Sequence, residues 1–377
     1  MTVVALDHAR RIAVRAQALD GTAKSVLDVV RRSGGLQLDP TAHVAPNHVL
    51  AVWSRLGRHD EAELRRLIAR RVLVEYDAYI IPAGELPLRL AVRRLWYAKG
   101  RSAWPARVRE WLDANAAFVR YVLRELERRG PLSSDQVEDR AAVSWPPPPA
   151  KPSSGWNSER NKTMLLELLE GRGRVLVSGR AGGRRLWDLA ERVVPVLERI
   201  DDRHVPGLIA ERRVRWFGIV RPRQSFWRDT YGTKPDYDAA GARVTVSGVR
   251  GDWIVRRDLL RDAELPDRLT LLSPFDRLIH DRERARDLFG FDFTMEIYVP
   301  RAKRKYGYFA MPVLRAERLI ARIDPEVDRA KAVLRVNRIF PEPRARVPAA
   351  PLRAAVESLA ATLGVRAAAR PGRTTGR

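Results

Sequence analysis

The sequence contains no cysteine, few lysines and no long apolar run. Without cysteine, disulfide bonds, thiolate metal sites and thiol nucleophiles are excluded, which suits a reducing compartment. The sequence predicts no membrane-spanning helix, since such a helix needs a run of about 18 apolar residues. Residues 1–7 also lack the basic stretch and apolar core of a signal peptide. We therefore expect a soluble, untargeted cytoplasmic protein.

Acidic residues are scarce relative to basic ones. The 377 residues include 46 Asp and Glu against 70 Lys and Arg, which gives a net charge of +24. Only eight of the basic residues are lysines, so 62 are arginines, whose planar guanidinium suits bidentate contacts to phosphate and guanine. The balance predicts nucleic acid as partner, ahead of an anionic membrane or an acidic protein. A GC-rich coding bias is a competing explanation of the arginine content.

A supersecondary pattern of helix, helix and hairpin recurs along the first 264 residues. In 1–104, apolar periodicity predicts helices over 7–19, 22–32 and 60–69, followed by β-prone segments 72–76 and 79–82. This order is typical of a winged helix, a small helical bundle closed by a two-stranded wing.

The second and third units, 105–198 and 199–264, repeat this order less regularly. In the second, helices are predicted over 118–129 and 162–169, with a cap at 133–135, a proline-rich loop at 145–149 and strands 174–177 and 184–187 around a glycine-rich tip. In the third, strand 243–248 should turn through Gly251 into 253–255. The third winged helix is expected to be degenerate, because 231–244 is short for a recognition helix.

Short β-prone segments dominate residues 265–345. They lie at 296–299, 306–311, 318–323 and 332–336, a spacing that predicts a small antiparallel sheet or barrel. The last segment, 346–377, should hold a helix over 351–363 and a disordered tail from 370. The predicted fold class is α+β, with tandem winged-helix domains followed by a small C-terminal β-barrel.

The segment Gln37-Leu38-Asp39 is the strongest candidate for chemistry. It follows a predicted helix end at Gly34-Gly35 and precedes Pro40, which disfavours further helix. If the segment is extended, Gln37 and Asp39 project to one side and Leu38 projects into the core, so the two polar side chains can share one water. The alternative is a helix cap followed by a half-buried turn, because Gln-x-Asp alone is a weak motif.

Seven stretches together resemble the winged-helix, YcaQ-like family of crosslink-repair DNA glycosylases, and the resemblance spans nearly the whole chain. They are Leu-Gln-Leu-Asp (36–39), Trp-Ser-Arg-Leu-Gly (53–57), Ser-Gly-Trp (154–156), Asp-Leu with Arg-Val-Val-Pro (188–195), Leu-Ser-Pro-Phe-Asp (272–276), Leu-Phe-Gly-Phe-Asp (288–292) and Lys-Arg-Lys-Tyr-Gly-Tyr-Phe (303–309). The family has one branch with Gln-apolar-Gln and another with Gln-apolar-Asp at the catalytic segment, and this chain resembles the second.

The resemblance implies a monofunctional glycosylase that excises N-alkylated purines, including interstrand crosslinks, from double-stranded DNA without metal or cofactor. Gln37 and Asp39 would be its catalytic residues. An N7-alkylated guanine is already positively charged and leaves readily, so one carboxylate can suffice where glycosidases usually need two. Asp39 would stabilise the oxocarbenium-like sugar, and Gln37 would hold the attacking water. We expect a monomer associated with the nucleoid.

Four residues near the catalytic segment and in the first wing are candidate DNA contacts: His43, His48, Tyr76 and Tyr79. The family commonly has Glu-Tyr-Trp-Ala-His-Glu in this wing, whereas this chain has Glu75-Tyr76-Asp77-Ala78-Tyr79 and lacks the Trp, the His and the second Glu. The departure affects substrate choice more than reaction type. Aromatic residues in a wing are at least as often core, and isolated histidines are more often surface or satisfied core groups.

Basic residues in the second wing and near residue 304 are candidate phosphate contacts. They are Arg180, Arg184, Arg185, Lys303, Arg304 and Lys305. The alternative is that each belongs to a solvated face of an arginine-rich chain.

Two other functions fit parts of the pattern. A non-catalytic winged-helix transcription regulator would bind DNA sequence-specifically and release no base. A nuclease would need clustered carboxylates for a metal, but Asp276, Asp281, Asp287 and Asp292 are expected at helix surfaces and turns instead.

Overall fold

The structure is a computed structural model that describes residues 2–99, 103–145, 160–222, 230–368 and 373–374. Contacts divide the chain into two compact units. The discontinuous unit comprises Met1–Leu64, Ala210–Phe226 and Asp236–Arg377, and the inserted unit comprises Arg65–Ile209 and Trp227–Pro235. The five-segment domain division stays a prediction. The proline run 146–149, the Ser-Gly-Trp stretch 154–156 and most of the tail lie outside the described residues.

Helices begin and end where local sequence favours it. Ser25 caps the second helix by accepting the Asp28 N–H, and Gly34 ends it in the left-handed region with φ of 74°. The α-helices are α1 (Leu6–Ala16), α2 (Val26–Ser33), α3 (Asn47–Leu56), α4 (Glu61–Ala69), α5 (Leu86–Lys99), α6 (Ala103–Ala114), α7 (Ala116–Arg129), α8 (Arg160–Gly171), α9 (Ala190–Val193), α10 (Val205–Phe217), α11 (Arg277–His280), α12 (Arg282–Phe289) and α13 (Ala349–Thr362).

The predicted helices over 60–69, 118–129, 162–169 and 351–363 are confirmed within a few residues. The first helix ends three residues before the predicted limit, and the second begins at Val26 instead of residue 22 because Ser25 is its cap. The expected cap at 133–135 is present as a capping box between Ser133 and Gln136 around a short 3-10 helix.

The strands are β1 (Thr2–Val4), β2 (Leu36–Gln37), β3 (Leu73–Tyr76), β4 (Tyr79–Pro82), β5 (Val175–Ala181), β6 (Arg184–Leu189), β7 (Ile219–Val220), β8 (Ala242–Val246), β9 (Val249–Val255), β10 (Leu269–Leu271), β11 (Met311–Arg315), β12 (Arg318–Asp328), β13 (Val333–Pro341), β14 (Arg366–Ala367) and β15 (Arg373–Thr374). The last of these corrects the expectation of disorder at Arg373–Thr374. Both predicted wings of the first two units are hairpins, and the second turns tightly at Gly182-Gly183 because β5 extends to Ala181.

The discontinuous unit contains two sheets. One has the order β1-β8-β9-β7, in which β1 pairs parallel to β8. The other runs β10-β11-β12-β13-β14, with β15 beside β13, and this half-barrel agrees with the sheet predicted for the C-terminal region. The fold class is therefore mixed α+β, as predicted, while the winged-helix arrangement stays a prediction.

Three strand boundaries differ from the prediction. Glu296–Tyr298 forms a 3-10 helix instead of a strand, and residues 306–310 are irregular before β11 begins at Met311. The carboxylate of Glu296 accepts backbone N–H groups of this segment, which therefore do not enter a ladder. The third hairpin turns at Ser247-Gly248, and Gly251 lies inside β9. Residues 231–241 contain turns and no helix.

The inserted unit packs helices against a sheet with strand order β4-β3-β5-β6. Its main core includes the buried side chains of Trp111, Phe118, Leu165 and Trp187. A second cluster lies around Val74 and Leu176 in the central strands, so the unit carries its own hydrophobic cores. In the described part of the chain, no helix is long and apolar enough to cross a membrane.

Asp276 is a buried structural residue, which corrects its expected place at a helix surface or turn. It is 1% exposed, caps α11 and forms two hydrogen bonds of 2.7 and 3.1 Å with the equally buried Arg55. Arg55 also donates to the Gln17 carbonyl at 2.8 Å. The pair thereby ties α3 to the start of α11 within the discontinuous unit.

We expect the Asp276→Ala protein to lose at least about 3 kcal/mol of unfolding free energy, because the guanidinium of Arg55 would stay buried without its counter-charge. Urea unfolding followed by circular dichroism measures the loss. The control is Asp267→Ala, which removes the exposed partner of Arg315 and should leave the midpoint nearly unchanged. Equal midpoints for the two variants would contradict the role of the buried pair.

Candidate active site

The segment Gln37-Leu38-Asp39 leaves α2 at a position that only glycine can occupy. A Cβ atom on Gly34 would lie 2.3 Å from the Trp216 ring. Leu36, 2% exposed, anchors β2 in the interior, while residues 37–39 are half-buried. Leu38 was expected in the core, but the structure assigns that role to Leu36. The segment is thus held firmly at its start and partly accessible at Asp39.

Both ends of the segment are fixed by hydrogen bonds. Oδ1 of Asp39 accepts the Thr41 N–H at 2.9 Å, an Asx turn across Pro40. The Gln37 carbonyl accepts from Nδ2 of Asn47, a buried residue in the first turn of α3, at 2.9 Å. Among the described residues Oδ2 of Asp39 has no hydrogen-bond or ion-pair partner. One carboxylate oxygen therefore orients the side chain, and the other is available to a reacting group.

Aromatic side chains from residues 298–309 lie beside this segment. Tyr298 is 74% exposed, and partial burial together with the negative charge of Asp39 raises the pKa of its hydroxyl. The Tyr308 ring meets the His43 ring edge-to-face at 5.1 Å between centroids, with Phe309 behind it at 6.0 Å. The structure thus brings Asp39 and His43 together with two tyrosines.

Glu296 positions the chain that carries these tyrosines. Its buried carboxylate accepts the backbone N–H groups of Lys305, Tyr306 and Gly307 at 2.9, 2.7 and 3.0 Å. A Cβ atom on Gly307, whose φ is 112°, would lie 2.1 Å from a carboxylate oxygen of Asp324. Burial raises the pKa of Asp324, while Asn337 and His43 oppose the shift.

The three basic residues of the 303–309 stretch have different surroundings. Lys303 and Lys305 are exposed, and neither amine has an ion pair within the described ranges. Arg304 donates to the Val299 carbonyl at 2.8 Å and lies over the Tyr308 ring at 4.8 Å, so its guanidinium supports the segment. The lysines are therefore the better phosphate candidates.

The predicted DNA contacts of the inserted unit are engaged within it. Arg180 forms a bidentate pair with Glu75, Arg184 pairs with Asp135, and Arg185 bonds Glu167 at 2.7 Å. Tyr76 and Tyr79, 2% and 5% exposed, lie in a core cluster, as the alternative interpretation of wing aromatics anticipates. His48, half-buried in the first turn of α3, lies near the Gln37–Asp39 segment in sequence.

Sequence reasoning missed Tyr298 near Asp39 and Asp324 near His43. It also missed Glu296, which binds the backbone of residues 305–307. The family resemblance singled out residues 303–309, but it did not identify Glu296 as the residue that holds this segment in place. No periodicity or motif marked Tyr298, because its importance comes from a fold-dependent approach to Asp39 across more than 250 residues.

Each of the remaining aspartates that were considered as metal ligands of a nuclease has a structural role or an ion-pair partner. Asp281 caps α12, Asp287 pairs with Arg221, and Asp292 pairs with Arg286. In the portion of the chain that the structure describes, no group of three or more His, Asp or Glu residues could hold a metal ion.

Comparisons with known proteins agree with this picture. A model of the family "DNA glycosylase AlkZ-like" matches residues 30–364. Among solved structures, the Streptomyces sahachiroi DNA glycosylase AlkZ is similar over 100% of both chains, with a TM-score of 0.67 and 16% identity. This likeness supports the fold, and the family match extends from within α2 to just beyond α13. The chain therefore belongs to the AlkZ-like family of DNA glycosylases, enzymes that hydrolyse N-glycosyl bonds in DNA.

Proposed function

We propose that the protein excises N-alkylated, positively charged purines from double-stranded DNA, including purines in interstrand crosslinks, with Gln37 and Asp39 as catalytic residues. The main support is the environment of Asp39. One of its oxygens is fixed by the Asx turn, and the other faces no described partner beside Tyr298 and the His43–Tyr308 pair. Membership of a DNA glycosylase family supplies the reaction class. It therefore favours an enzyme over the alternative function, a non-catalytic transcription regulator.

The chemistry requires little from the protein beyond a placed carboxylate. As the N-glycosidic bond breaks, its electron pair moves to the departing base and neutralises the alkylated ring. The sugar becomes oxocarbenium-like, and the negative charge of Asp39 stabilises it. Water adds at C1′ and loses a proton through Asp39 to solvent. The Gln37 side-chain amide would orient this water.

The proposal is tested by base release from two duplexes, one with a defined N7-alkylguanine monoadduct and one with a defined interstrand crosslink. Wild type should form abasic sites in both, and Asp39→Asn and Gln37→Ala should lose the activity while still binding DNA. Release from the monoadduct alone would restrict the substrate to simple adducts. Release from neither duplex, with intact DNA binding, would overturn the proposed substrate class.

We expect DNA affinity to fall steeply with salt, since each neutralised phosphate releases counterions. The Lys303→Gln/Lys305→Gln protein should show a log–log salt slope smaller by about 2. Fluorescence anisotropy with an undamaged duplex measures it. The control is Lys331→Gln, because Lys331 lies 4.0 Å from Asp328. An unchanged slope in the double variant would remove these lysines from the interface.

A further inference from the structure

A cavity of about 580 Å³ lies within the inserted unit, and nothing in the catalytic proposal uses it. Its size falls within the usual range of small-molecule sites. The buried floor includes Glu170, Trp96 and Tyr231, which are 4%, 7% and 7% exposed. The half-buried Trp104 and Glu167, whose side chain is 40% exposed, lie toward solvent. The cavity is thus an aromatic recess with a carboxyl group at its base.

Glu170 is an unusual group to bury. Its side chain has no ion pair among the described residues, and its hydrogen bond is long, from the Asp77 N–H to Oε2 at 3.3 Å. Burial and the neighbouring charge of Asp77 raise the pKa of Glu170 to about 8. Buried polar groups are normally hydrogen-bonded, so a carboxyl with unused capacity at a cavity floor is suited to a ligand.

The charges around the cavity favour a cation. Arg185 is bound to Glu167, and Arg93 is the second cationic residue that lines the cavity. Arg93 lies over the rings of Tyr231 and Trp96, at 4.4 and 5.2 Å from their centroids. If Asp77, Glu167 and Glu170 are all ionised, the lining residues carry three negative charges against two positive ones, which is an excess of one negative charge. A positively charged ligand would balance it and allow Glu170 to release its proton.

The aromatic walls favour a planar ligand. Trp96 and Tyr231 lie 5.5 Å apart with rings inclined at 51°, and the Asp77 carboxylate is held by a hydrogen bond from the Tyr231 hydroxyl. Trp104 is braced edge-to-face by Trp145 at 5.1 Å. Aromatic faces attract flat cations, and carboxylates accept from the Watson–Crick edge of an unpaired base.

We infer that this cavity is a binding site for an N7-alkylated guanine, stacked on the aromatic walls with its N1–H and N2–H groups toward Asp77 and Glu170. The choice of this base among planar cations rests on the proposed function. Its source is a base extruded from DNA, because the free base that excision releases has lost the positive charge that the cavity would balance.

The test is calorimetric titration of the full-length protein with 7-methylguanosine and with guanosine at neutral pH. We expect 7-methylguanosine to bind at least tenfold more tightly. Glu170→Gln and Trp104→Leu should each weaken that binding at least tenfold, with native circular dichroism, while the control Glu198→Gln, at an exposed residue, should bind as wild type. Equal affinity for both nucleosides, no saturable binding, or wild-type affinity in both cavity variants would overturn the inference.

The Asp39→Asn protein separates this inference from the proposed function. It should bind 7-methylguanosine as wild type although it releases no base. Displacement of the nucleoside by a duplex with an N7-methylguanine, but not by the undamaged duplex, would identify an extruded base as the source. No displacement by either duplex would rule out an extruded base and overturn the inference. Base release by wild type without any nucleoside binding would overturn the cavity site alone.

Discussion

Replacing Asp39 with asparagine should lower the single-turnover rate of N7-alkylguanine release by about 10²–10⁴-fold. The substitution keeps the size of the side chain and leaves an oxygen for the Thr41 N–H, which Asp39 now binds at 2.9 Å. It removes the negative charge that, in the proposed mechanism, stabilises the developing positive charge on the sugar. The loss should therefore appear in the chemical step, with DNA affinity changed little.

The control variant is Asp20→Asn. Asp20, like Asp39, accepts a backbone N–H from the residue two positions later, in this case Thr22. It lies in the turn after α1 and should excise at the wild-type rate. Rates for Asp39→Asn within a few-fold of wild type would remove Asp39 from the chemistry and leave Gln37 without its proposed partner.

The second large effect concerns Glu170 and pH. Because burial and the charge of Asp77 raise the pKa of Glu170 from 4.5 to about 8, the folded protein holds a proton that the unfolded chain releases between these values. Wild-type stability should therefore fall across this window, relative to Glu170→Gln, by up to about 5 kcal/mol. The difference should be smallest near pH 5 and largest near pH 8.

Urea unfolding at several pH values between 5 and 8 measures this difference. Glu198→Gln, at an exposed position, serves as the matched control and should follow the wild-type profile. A constant offset between Glu170→Gln and wild type at all pH values would mean that the carboxyl titrates alike in the folded and unfolded chain.

Local signals in the sequence were sufficient for six of the thirteen described α-helices and for the first two hairpins. Gly34 predicted the end of α2, and the β-prone residues around Val74 and Ile80 predicted the first hairpin, because these features depend on neighbours within a few residues. The failures involve distant partners. Glu296 lies in a β-prone segment, but its carboxylate accepts the backbone N–H groups of residues 305–307. These groups therefore do not pair with a neighbouring strand.

The same distinction applies to the candidate site. Gln37 and Asp39 were proposed because a short motif carries them, whereas Tyr298 comes near Asp39 only through the fold. Arg180 and Arg185 were predicted as phosphate contacts from charge alone, but charge does not reveal a partner, and both are paired with carboxylates of their own unit. Composition therefore predicts the polyanionic ligand better than it predicts the contacting residues.

The interruption of one unit by the other has a consequence for protein synthesis. Residues 65–209 of the inserted unit, with their own cores, leave the ribosome before β1 can meet β8, since Thr2 pairs with Val244. Asp39 is translated early, but Tyr298 and Tyr308 follow only in the last quarter of the chain. A nascent or prematurely terminated polypeptide would thus contain most of the inserted unit while Asp39 still lacks its tyrosine neighbours. If Asp39 is catalytic as proposed, we expect base excision only when translation is nearly complete.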